Sequence, residues 1–314
     1  MTANIQIQYL AQKEIDKIKW DDCIDKAPNG LIYGYSFYLD AMSKHWDALV
    51  LGDYEVVMPL TWNRKYGFHY LYQPAFTASL GVFGKNLTEE IIQLFIQSIP
   101  KKFRLIEISL NSGNIFSVPS GFSLLRNNYI LNLNKSYEEL SSGFRENHKR
   151  NISRAMQAGC TVTNEISIDD IIRLNEEQLN HISGTKPEDY RNFKKLYEFL
   201  KEQNKTEVYG ILSPKNKILS SCVFFFSHNR AYYILVGNHP DARLPDGQGK
   251  TIGASHALID TFIKDHAGKE LLLDFEGSDI RNLAFFYSSF GAKEEIYPAL
   301  KINRLPFYIR WLKK

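Results

Sequence analysis

The stretch Leu271–Ala292, LLLDFEGSDIRNLAFFYSSFGA, holds the signals that decide the fold. Its three leucines predict a buried strand, and Gly277 then breaks the strand and opens a helix. Alternation with period 2 places Asp274 and Glu276 on one face at the end of that strand, where α/β sheets tend to bind ligands. Either carboxylate could act as a general base or orient an amine nucleophile, because burial raises a carboxyl pKa toward neutral pH. The alternative is that each one caps or hydrogen-bonds the turn of residues 277–279.

Outward from this stretch, the predicted elements in the second half of the chain repeat the order of the first half. Each half opens with a strand, followed by two helices, three strands, a helix and a further strand. The matching strand ends are Ile106–Gly113, IEISLNSG, and Leu272–Ser278, LLDFEGS. We therefore predict an α/β (α+β) protein with two tandem copies of one unit, each a mixed, mostly antiparallel sheet flanked by helices. The first copy has its last helix shortened or lost.

The predicted boundary between the two domains lies at residue 135. Residues 1–135 form the first domain, and residues 136–314 form the second, which begins with a linking helix over residues 136–158. Ser136 and Glu139 have the spacing of a capping box, the signal that opens such a helix. The chain is therefore expected to use one fold twice.

Composition limits the classes of protein that remain. The 314 residues are 44% hydrophobic and 23% charged, and 38 Lys and Arg against 35 Asp and Glu leave a net charge of +3. This balance predicts neither disorder nor a DNA-binding protein, and no window approaches the ~20 apolar residues of a membrane span. Three isolated cysteines predict neither disulfides nor a zinc site. With no secretory signal evident, we expect a cytoplasmic protein without a metal or stable membrane insertion.

The helix after Gly277 carries a resemblance to a known superfamily. Its sequence Ala284–Gly291, AFFYSSFG, resembles the last helix of GNAT-fold acyltransferases, where an alanine is followed by a tyrosine three residues later and a glycine four beyond that. Over nearly its whole length the chain resembles the FemAB-like branch, which has tandem GNAT-like domains. In GNAT enzymes this tyrosine protonates the departing thiolate, so the resemblance implies that role for Tyr287. The alternative is an aromatic residue packed on the sheet among the phenylalanines of the same helix.

A glycine-rich turn begins the predicted helix over residues 250–267. Its segment Gly247–Thr251, GQGKT, invites comparison with a nucleotide-binding P-loop, but Leu244 stands where that motif requires glycine. GNAT folds bind the coenzyme A pyrophosphate at this junction, through free N–H groups at a helix N-terminus. The resemblance therefore implies an acyl-CoA donor, and a plain surface turn is the alternative. The residues that would bind this donor are Arg243, Gly247, Gln248, Gly249, Lys250 and Thr251, with backbone groups of Val236 and Gly237 for the pantetheine arm.

The predicted linking helix concentrates positive charge. It carries Arg145, Lys149, Arg150 and Arg154 against Glu146, a surplus equal to the net charge of the chain. These cations form two i,i+4 pairs, which places them on adjoining faces of a helix. One interpretation is a patch that binds phosphate, whether of coenzyme A, of a lipid or sugar phosphate, or of aminoacyl-tRNA. The other is a solvated helix whose cations pair with acidic residues elsewhere.

These observations together predict an acyltransferase that moves an acetyl, longer acyl or aminoacyl group from a thioester or ester to an amine. Glu276 or Asp274 would assist deprotonation of the amine, and Tyr287 would act as the acid. Two donors compete, namely acyl-CoA and, as in FemAB-type peptidoglycan bridge formation, aminoacyl-tRNA. The acceptor would be a small-molecule or peptidoglycan-precursor amine, with the degenerate first domain in a structural or acceptor-binding role. A non-catalytic binding module of the same fold is the further alternative.

Overall fold

The chain forms two compact units, which we call unit 1 (residues 1–127 and 295–314) and unit 2 (residues 128–294). The computed structural model describes residues 6–117, 123–179, 184–242, 251–277 and 279–306. The elements up to residue 109 are β1 (Ile7–Leu10), α1 (Lys17–Lys26), α2 (Ser36–Met42), β2 (His45–Leu51), β3 (Val56–Lys65), β4 (Phe68–Tyr72), β5 (Phe83–Gly84), α3 (Glu89–Gln97) and β6 (Phe103–Ser109).

The second half of the chain supplies a longer series of elements. They are β7 (Ser123–Asn132), α4 (Tyr137–Ser142), α5 (Glu146–Gln157), β8 (Thr161–Thr163), α6 (Ile168–Leu179), α7 (Pro187–Glu202), β9 (Thr206–Leu212), β10 (Ile218–Ser227), β11 (Arg230–Asn238), α8 (Ala254–His266), β12 (Leu272–Asp274), α9 (Arg281–Ser288) and β13 (Lys293–Asn303). Short 3-10 helices cover Gln12–Glu14, Ile32–Gly34 and Pro240–Ala242.

The sheets of the two units have the same strand pattern. Unit 1 has the order β1-β2-β3-β4-β6-β13, with β5 paired to β3, and unit 2 has the order β8-β9-β10-β11-β12-β7. In each sheet one neighbouring pair is parallel, β4 with β6 and β11 with β12, and the other neighbours described are antiparallel. The parallel pairs are joined through helices α3 and α8, as a parallel connection requires. The predicted fold class, α/β with mixed, mostly antiparallel sheets flanked by helices, is confirmed.

The last strand of each sheet comes from the other half of the chain. Strand β13 pairs with β6, from Ala299 opposite Ser109 to Asn303 opposite Leu105. Strand β7 pairs with β12 instead, with Leu272 opposite Asn132. The units therefore differ from the predicted division at residue 135, because the sequence pattern shows which segments are strands but not which edge each one joins.

The predicted linking helix over residues 136–158 is two helices. Ser136 opens α4 as predicted, since its Oγ accepts a hydrogen bond from the amide N of Glu139 while the Glu139 side chain accepts from the Ser136 amide. Gly143 ends α4, and the buried Phe144 packs edge-on against Phe290 with ring centroids 5.3 Å apart. Arg145 is consequently the N-cap residue of α5 and lies outside the helix proper.

Helices α5 and α8 approach closely at one glycine. Gly253 precedes α8 with φ +94°, and a Cβ atom at this position would lie 1.9 Å from the carbonyl O of Asn151 in α5. Only glycine permits both the left-handed backbone and this approach. On its other side α8 packs on the sheet, where the rings of Phe262 and Phe224 stack at 3.7 Å. Unit 2 thereby holds the start of α8 rigidly against α5.

Two structural findings bear on the sequence-based expectations of cysteine chemistry and membrane contact. Cys23, Cys160 and Cys222 are free thiols, and all three are buried. In the part of the chain that the structure describes, every helix is too short or too polar to cross a membrane.

Candidate functional site

The two central strands of unit 2, β11 and β12, separate partway along their length. Their parallel pairing covers Arg230 to Tyr232 on β11, opposite Leu272 to Asp274 on β12. Strand β12 ends there, whereas β11 continues to Asn238. The carboxyl end of β12 therefore lies at an opening of the sheet, the kind of position where α/β folds place reacting groups.

Asp274 is the last residue of β12 and is tied down by three hydrogen bonds. Its Oδ1 accepts from Asn128 Nδ2 at 2.9 Å and from the amide N of Glu276 at 2.8 Å. Its Oδ2 accepts from Arg230 NH1 at 2.7 Å, in an ion pair that is almost completely buried. With both oxygens engaged, these contacts match the alternative interpretation of Asp274, in which the carboxylate holds the turn that follows it.

Glu276 lies just beyond β12 and has the features of a proton-transfer group. Its φ is +64°, a left-handed conformation that is uncommon for residues other than glycine. Strand β12 ends at Asp274, so the predicted alternation does not extend to Glu276. The amide N of Glu276 instead donates a hydrogen bond to Asp274 Oδ1, which defines the turn. Loss of solvation raises the pKa of the Glu276 carboxyl to about 8. Strained backbone and a carboxyl that titrates near neutral pH are both typical of functional sites.

Tyr287 lies on α9 and is 8% exposed. Its ring stacks on Phe275, with centroids 4.6 Å apart and an interplanar angle of 22°. Burial, and next the negative charge of Glu276, raise the pKa of the Tyr287 phenol well above its usual value. Phe275 directly precedes Glu276 in the chain, so this stacking, together with the electrostatic influence of Glu276 on the phenol, places Tyr287 near the turn after β12. The phenol is therefore neutral at pH 7 and available as a donor.

One of the backbone groups predicted to hold a pantetheine arm accepts a hydrogen bond from within the protein. The carbonyl O of Val236 accepts a 2.7 Å hydrogen bond from Asn175 Nδ2 on α6. Tyr190 donates to Asn175 Oδ1 at 2.6 Å and so fixes that amide. At Gly237, a Cβ would lie 2.5 Å from Leu174 Cβ, which shows how closely α6 covers β11. Asn175 was missed by sequence reasoning, because a single asparagine on an amphipathic helix carries no signal of its partner.

Most of the predicted pyrophosphate site cannot be compared with the structure, since Arg243, Gly247, Gln248, Gly249 and Lys250 lie outside the described residues. Thr251 is described, and its groups bond within the protein. Its Oγ1 donates to the carbonyl O of Ala242 at 3.0 Å and accepts from the amide N of Gly253. Thr251 therefore fixes the loop that leads into α8, and the coenzyme A site stays a prediction.

The four cations of the predicted phosphate patch have different surroundings. Arg145 lies over the Phe285 ring at 4.6 Å, and Lys149 pairs with Glu146 at 3.1 Å. Arg154 is half-buried, and its NH1 donates to the carbonyl O of Thr251 at 2.9 Å. Arg150 is exposed. Arg154 therefore stabilises the start of α8, while exposed positions such as Arg150 fit either interpretation of the patch.

Two buried histidines, His148 on α5 and His256 on α8, form a further cluster close to Tyr287. Their ring centroids are 4.4 Å apart, and His148 Nε2 lies 3.1 Å from the carbonyl O of Phe286. Sequence reasoning missed this pair, because two histidines about 100 residues apart carry no signal of their contact. Among the described residues, no group of three or more His, Cys, Asp and Glu side chains could hold a metal ion.

Comparison with solved structures finds the same architecture in other proteins. FemX matches with a TM-score of 0.64 and 13% identity, over 96% of this chain and 98% of that one. A conserved protein of unknown function from Bacteroides thetaiotaomicron has a TM-score of 0.55 and 12% identity, over 91% and 96% of the two chains. The C-terminal domain of a candidate lysylphosphatidylglycerol synthetase from Agrobacterium fabrum has a TM-score of 0.52 and 12% identity, over 94% of each chain.

No protein-family model and no curated protein sequence matches the chain. At identities of 12 to 13%, a structural likeness establishes the fold and nothing finer. The protein therefore has the fold of FemX along almost its whole length, which agrees with the tandem-domain fold that the sequence resemblance implied.

Proposed function

We propose that unit 2 catalyses transfer of an acyl group from an ester or thioester donor to an amine acceptor. The observation that carries this proposal is the stacking of the Tyr287 ring on Phe275, the residue that directly precedes Glu276 at the carboxyl end of β12. A carboxyl with a pKa of about 8 and a neutral phenol beside it are a base and an acid matched to that reaction. The FemX fold supports the same reaction class by analogy.

In the proposed reaction, the Glu276 carboxylate removes a proton from the amine as its nitrogen attacks the donor carbonyl. The new C–N bond forms, and the C–O or C–S bond of the donor breaks. Tyr287 gives its proton to the departing oxygen or sulfur, and the proton on Glu276 then restores the phenol directly or through solvent. Protons therefore balance over one turnover, and no covalent enzyme intermediate is required.

The acid strength of Tyr287 favours an ester donor over a thioester. An ordinary tyrosine has a pKa of about 10 and an ordinary thiol about 8.5, so even an unperturbed phenol is a weaker acid than the thiol that it would have to protonate. Burial and Glu276 raise the pKa of Tyr287 further. A departing alkoxide is a much stronger base and takes that proton readily. Aminoacyl-tRNA, the ester donor implied by the FemAB-like resemblance, is therefore the donor class that we favour.

The test uses hydroxylamine as a small general acceptor and measures hydroxamate formed from three donors: acetyl-CoA, a longer acyl-CoA and an aminoacylated RNA minihelix. We expect acceleration with the ester. Glu276→Gln and Tyr287→Phe should each lower the rate by about 100-fold or more, the usual size of a general acid–base contribution. Tyr129→Phe is the matched control, because its ring lies 6.3 Å from that of Tyr287, and it should change the rate by about twofold at most.

Other outcomes of this test separate the alternatives. Acceleration with acyl-CoA alone would make the protein a thioester-dependent acyltransferase and contradict the donor preference. Stabilisation by a donor in a thermal-shift assay without any acceleration would favour a non-catalytic binding module. Full activity of Glu276→Gln would refute the proposed base.

A further inference from the structure

His148 and His256 meet where three helices of unit 2 come together. His148 is 2% exposed and His256 8% exposed, so both imidazoles are almost completely removed from solvent. Phe286 and Phe290 surround them, with Phe286 edge-on to His256 at 4.9 Å and Phe290 edge-on to His148 at 4.7 Å. The histidines come from α5 and α8, while Phe286 is the residue before Tyr287 on α9.

The proton position on His256 follows from a chain of fixed donors. Arg154 has only donors, and its NH1 gives hydrogen bonds to the carbonyl O of Thr251 at 2.9 Å and to Asn151 Oδ1 at 3.0 Å. The orientation of the Asn151 amide is therefore set, and its Nδ2 must donate to His256 Nε2, which lies 3.1 Å away. Burial, and next the charge interaction with His148, lower the pKa of His256 to about 3, so this ring is neutral. A neutral imidazole that accepts at Nε2 carries its proton on Nδ1.

The proton position on His148 is the opposite one. A carbonyl oxygen only accepts, so the 3.1 Å contact with the Phe286 carbonyl requires the proton on His148 Nε2. Burial lowers the pKa of His148 to about 4, and this ring is neutral as well. Its Nδ1 is then a bare acceptor. The two rings consequently hold opposite tautomers.

The remaining atoms of the pair are a matched donor and acceptor. Neither His148 Nδ1 nor His256 Nδ1 has a hydrogen-bond partner among the described residues, although both atoms are fully buried. Buried polar atoms are normally paired, so two such atoms on adjoining rings call for an explanation. The tautomers leave an Nδ1–H on His256 and an Nδ1 lone pair on His148, a donor and an acceptor on rings whose centroids are 4.4 Å apart.

We propose that His148 and His256 are positioning residues that act as neutral imidazoles of opposite tautomer and tie the last turn of α9, and with it Tyr287, to the first turn of α8. The inference rests on the proposed function for its catalytic meaning. A second contact between α5 and the end of α9 supports it, because the amide N of Arg145 donates to the carbonyl O of Ser289 at 3.0 Å. Helix α5 thus contacts α8 through Asn151 and the end of α9 through His148.

The first test measures the tautomers directly. In the ¹⁵N-labelled full-length protein at pH 7, long-range ¹H–¹⁵N correlation spectra should show His148 protonated at Nε2 and His256 protonated at Nδ1. Assignments come from His148→Gln and His256→Gln. Either ring in the other tautomer, or doubly protonated, would overturn the proposal.

A nearly isosteric variant sharpens this measurement. Asn151→Asp replaces the amide donor by a second acceptor, so His256 must donate from Nε2. We expect the proton of His256 to leave Nδ1 for Nε2, while His148 keeps its tautomer. An unchanged His256 would show that Asn151 does not set the proton position.

The second test follows Tyr287 without any assay of activity. With ¹³Cζ-labelled tyrosine, the Tyr287 signal, assigned from Tyr287→Phe, should move in His148→Phe, which keeps an aromatic ring but loses the bond to Phe286. It should return toward the wild-type position in His148→Gln, whose amide places a donor near the Nε2 site. Gln157→Ala, an exposed change on the same helix, is the matched control and should leave the signal in place.

If His148→Phe fails to fold, Arg154→Met tests the connection from its other end. Loss of the guanidinium frees the Asn151 amide to rotate, and a mixture of His256 tautomers is then expected. A single unchanged tautomer would overturn the proposal.

With an acyl-transfer assay in hand, His148→Phe should lower kcat by about 10-fold with KM unchanged, and His148→Gln should restore most of it. A Tyr287 signal unmoved in His148→Phe would end this proposal whatever the activity. Full activity of Tyr287→Phe would instead end the proposed function and leave the tautomers as they are.

Discussion

The end of β6 in unit 1 and the end of β12 in unit 2 occupy the same place in the same fold, but their chemistry is opposite. After β6 come two buried asparagines, Asn111 and Asn114. Asn111 Nδ2 donates to the carbonyl O of Leu80 at 2.9 Å, and Asn114 accepts from the amide N of Val82 at 2.8 Å. Neutral amides with paired donors and acceptors close this end of the sheet.

The end of β12 carries carboxylates instead, Asp274 as the last residue of the strand and Glu276 two residues beyond it. Asp274 is neutralised by Arg230, whereas loss of solvation leaves Glu276 with a pKa of about 8. The amides of unit 1 cannot accept a proton near neutral pH, and the carboxyl of unit 2 can. The comparison indicates that strand order alone does not make a reactive site, and that the residues placed at the strand end decide it.

The largest expected effect comes from making unit 2 resemble unit 1 at Asp274. Asp274→Asn leaves the mostly buried guanidinium of Arg230 without its counter-charge, and we expect a loss of about 3 kcal/mol in the free energy of unfolding. Urea denaturation measures this loss. The exposed pair of Lys19 and Asp53 is the control, since Asp53→Asn should cost less than about 1 kcal/mol. Equal losses in the two variants would show that burial of the pair of Arg230 and Asp274 does not increase its contribution to the free energy of unfolding.

The reverse change makes unit 1 resemble unit 2. Asn111→Asp removes the donor to Leu80 and places a carboxylate beside that carbonyl, with an expected loss of about 2 to 3 kcal/mol at pH 7. The loss should shrink at about pH 4, because a protonated aspartic acid can donate again. A loss that does not depend on pH would argue that the site tolerates the charge.

A third prediction uses the pH dependence of stability. The carboxyl of Glu276 has an ordinary pKa of 4.5 when the chain is unfolded and about 8 when it is folded. Between these values the folded protein binds a proton that the unfolded chain does not, so stability falls as pH rises from about 5 to about 8. We expect this group to contribute a total fall of about 2 kcal/mol. A full ~1.4 kcal/mol per pH unit would give about 5 kcal/mol over this range, and partial exposure of the residue reduces it.

Glu276→Gln should remove this fall, and Glu294→Gln, on an exposed side chain, should preserve it. Thermal unfolding followed across the pH range gives both slopes. Identical slopes in the wild type and Glu276→Gln would contradict the raised pKa of Glu276.

The smallest expected effect lies at the outer edge of the unit 1 network. Asn29 Nδ2 bonds the carbonyl O of Val82 at 2.8 Å and Asn111 Oδ1 at 3.0 Å, but the residue is only half-buried. Water can replace some of the hydrogen bonds that Asn29→Ala removes. We therefore expect the free energy of unfolding, measured by urea denaturation, to fall by about 1 kcal/mol. A loss as large as that of Asn111→Asp would mean that the whole network acts as one unit.

Much of the fold could be predicted from local signals in the sequence. Strand β10, Ile218–Ser227, is a mostly apolar run bounded by turn residues on both sides. The capping box of Ser136 and Glu139 forms as its spacing predicts. The tyrosine of α9 reaches the end of β12, since a short turn after a strand leaves the next helix little freedom. All of these depend on residues close together in sequence.

The remainder depends on contacts between distant residues. The pairing of β13 with β6, the pairing of β7 with β12 and the hydrogen bond from Asn175 to Val236 leave no local pattern in the sequence. Each of them joins segments at least 60 residues apart. Period-2 alternation also grouped Asp274 with Glu276, whereas the structure gives one a structural role and the other a shifted pKa. A left-handed residue ends the alternation there, and the sequence has no signal for it other than the neighbouring Gly277.

The pairing of β6 with a strand from the other end of the chain has a consequence for synthesis on the ribosome. Strand β6 lies near residue 109, but its partner β13 begins roughly 190 residues later in the chain. At about 5 to 20 residues per second, that separation corresponds to a delay of about 10 to 40 s. During this interval β6 presents an unpaired edge, the feature through which nascent β proteins pair wrongly with their neighbours. The half of the protein that is made first is therefore the half that is completed last.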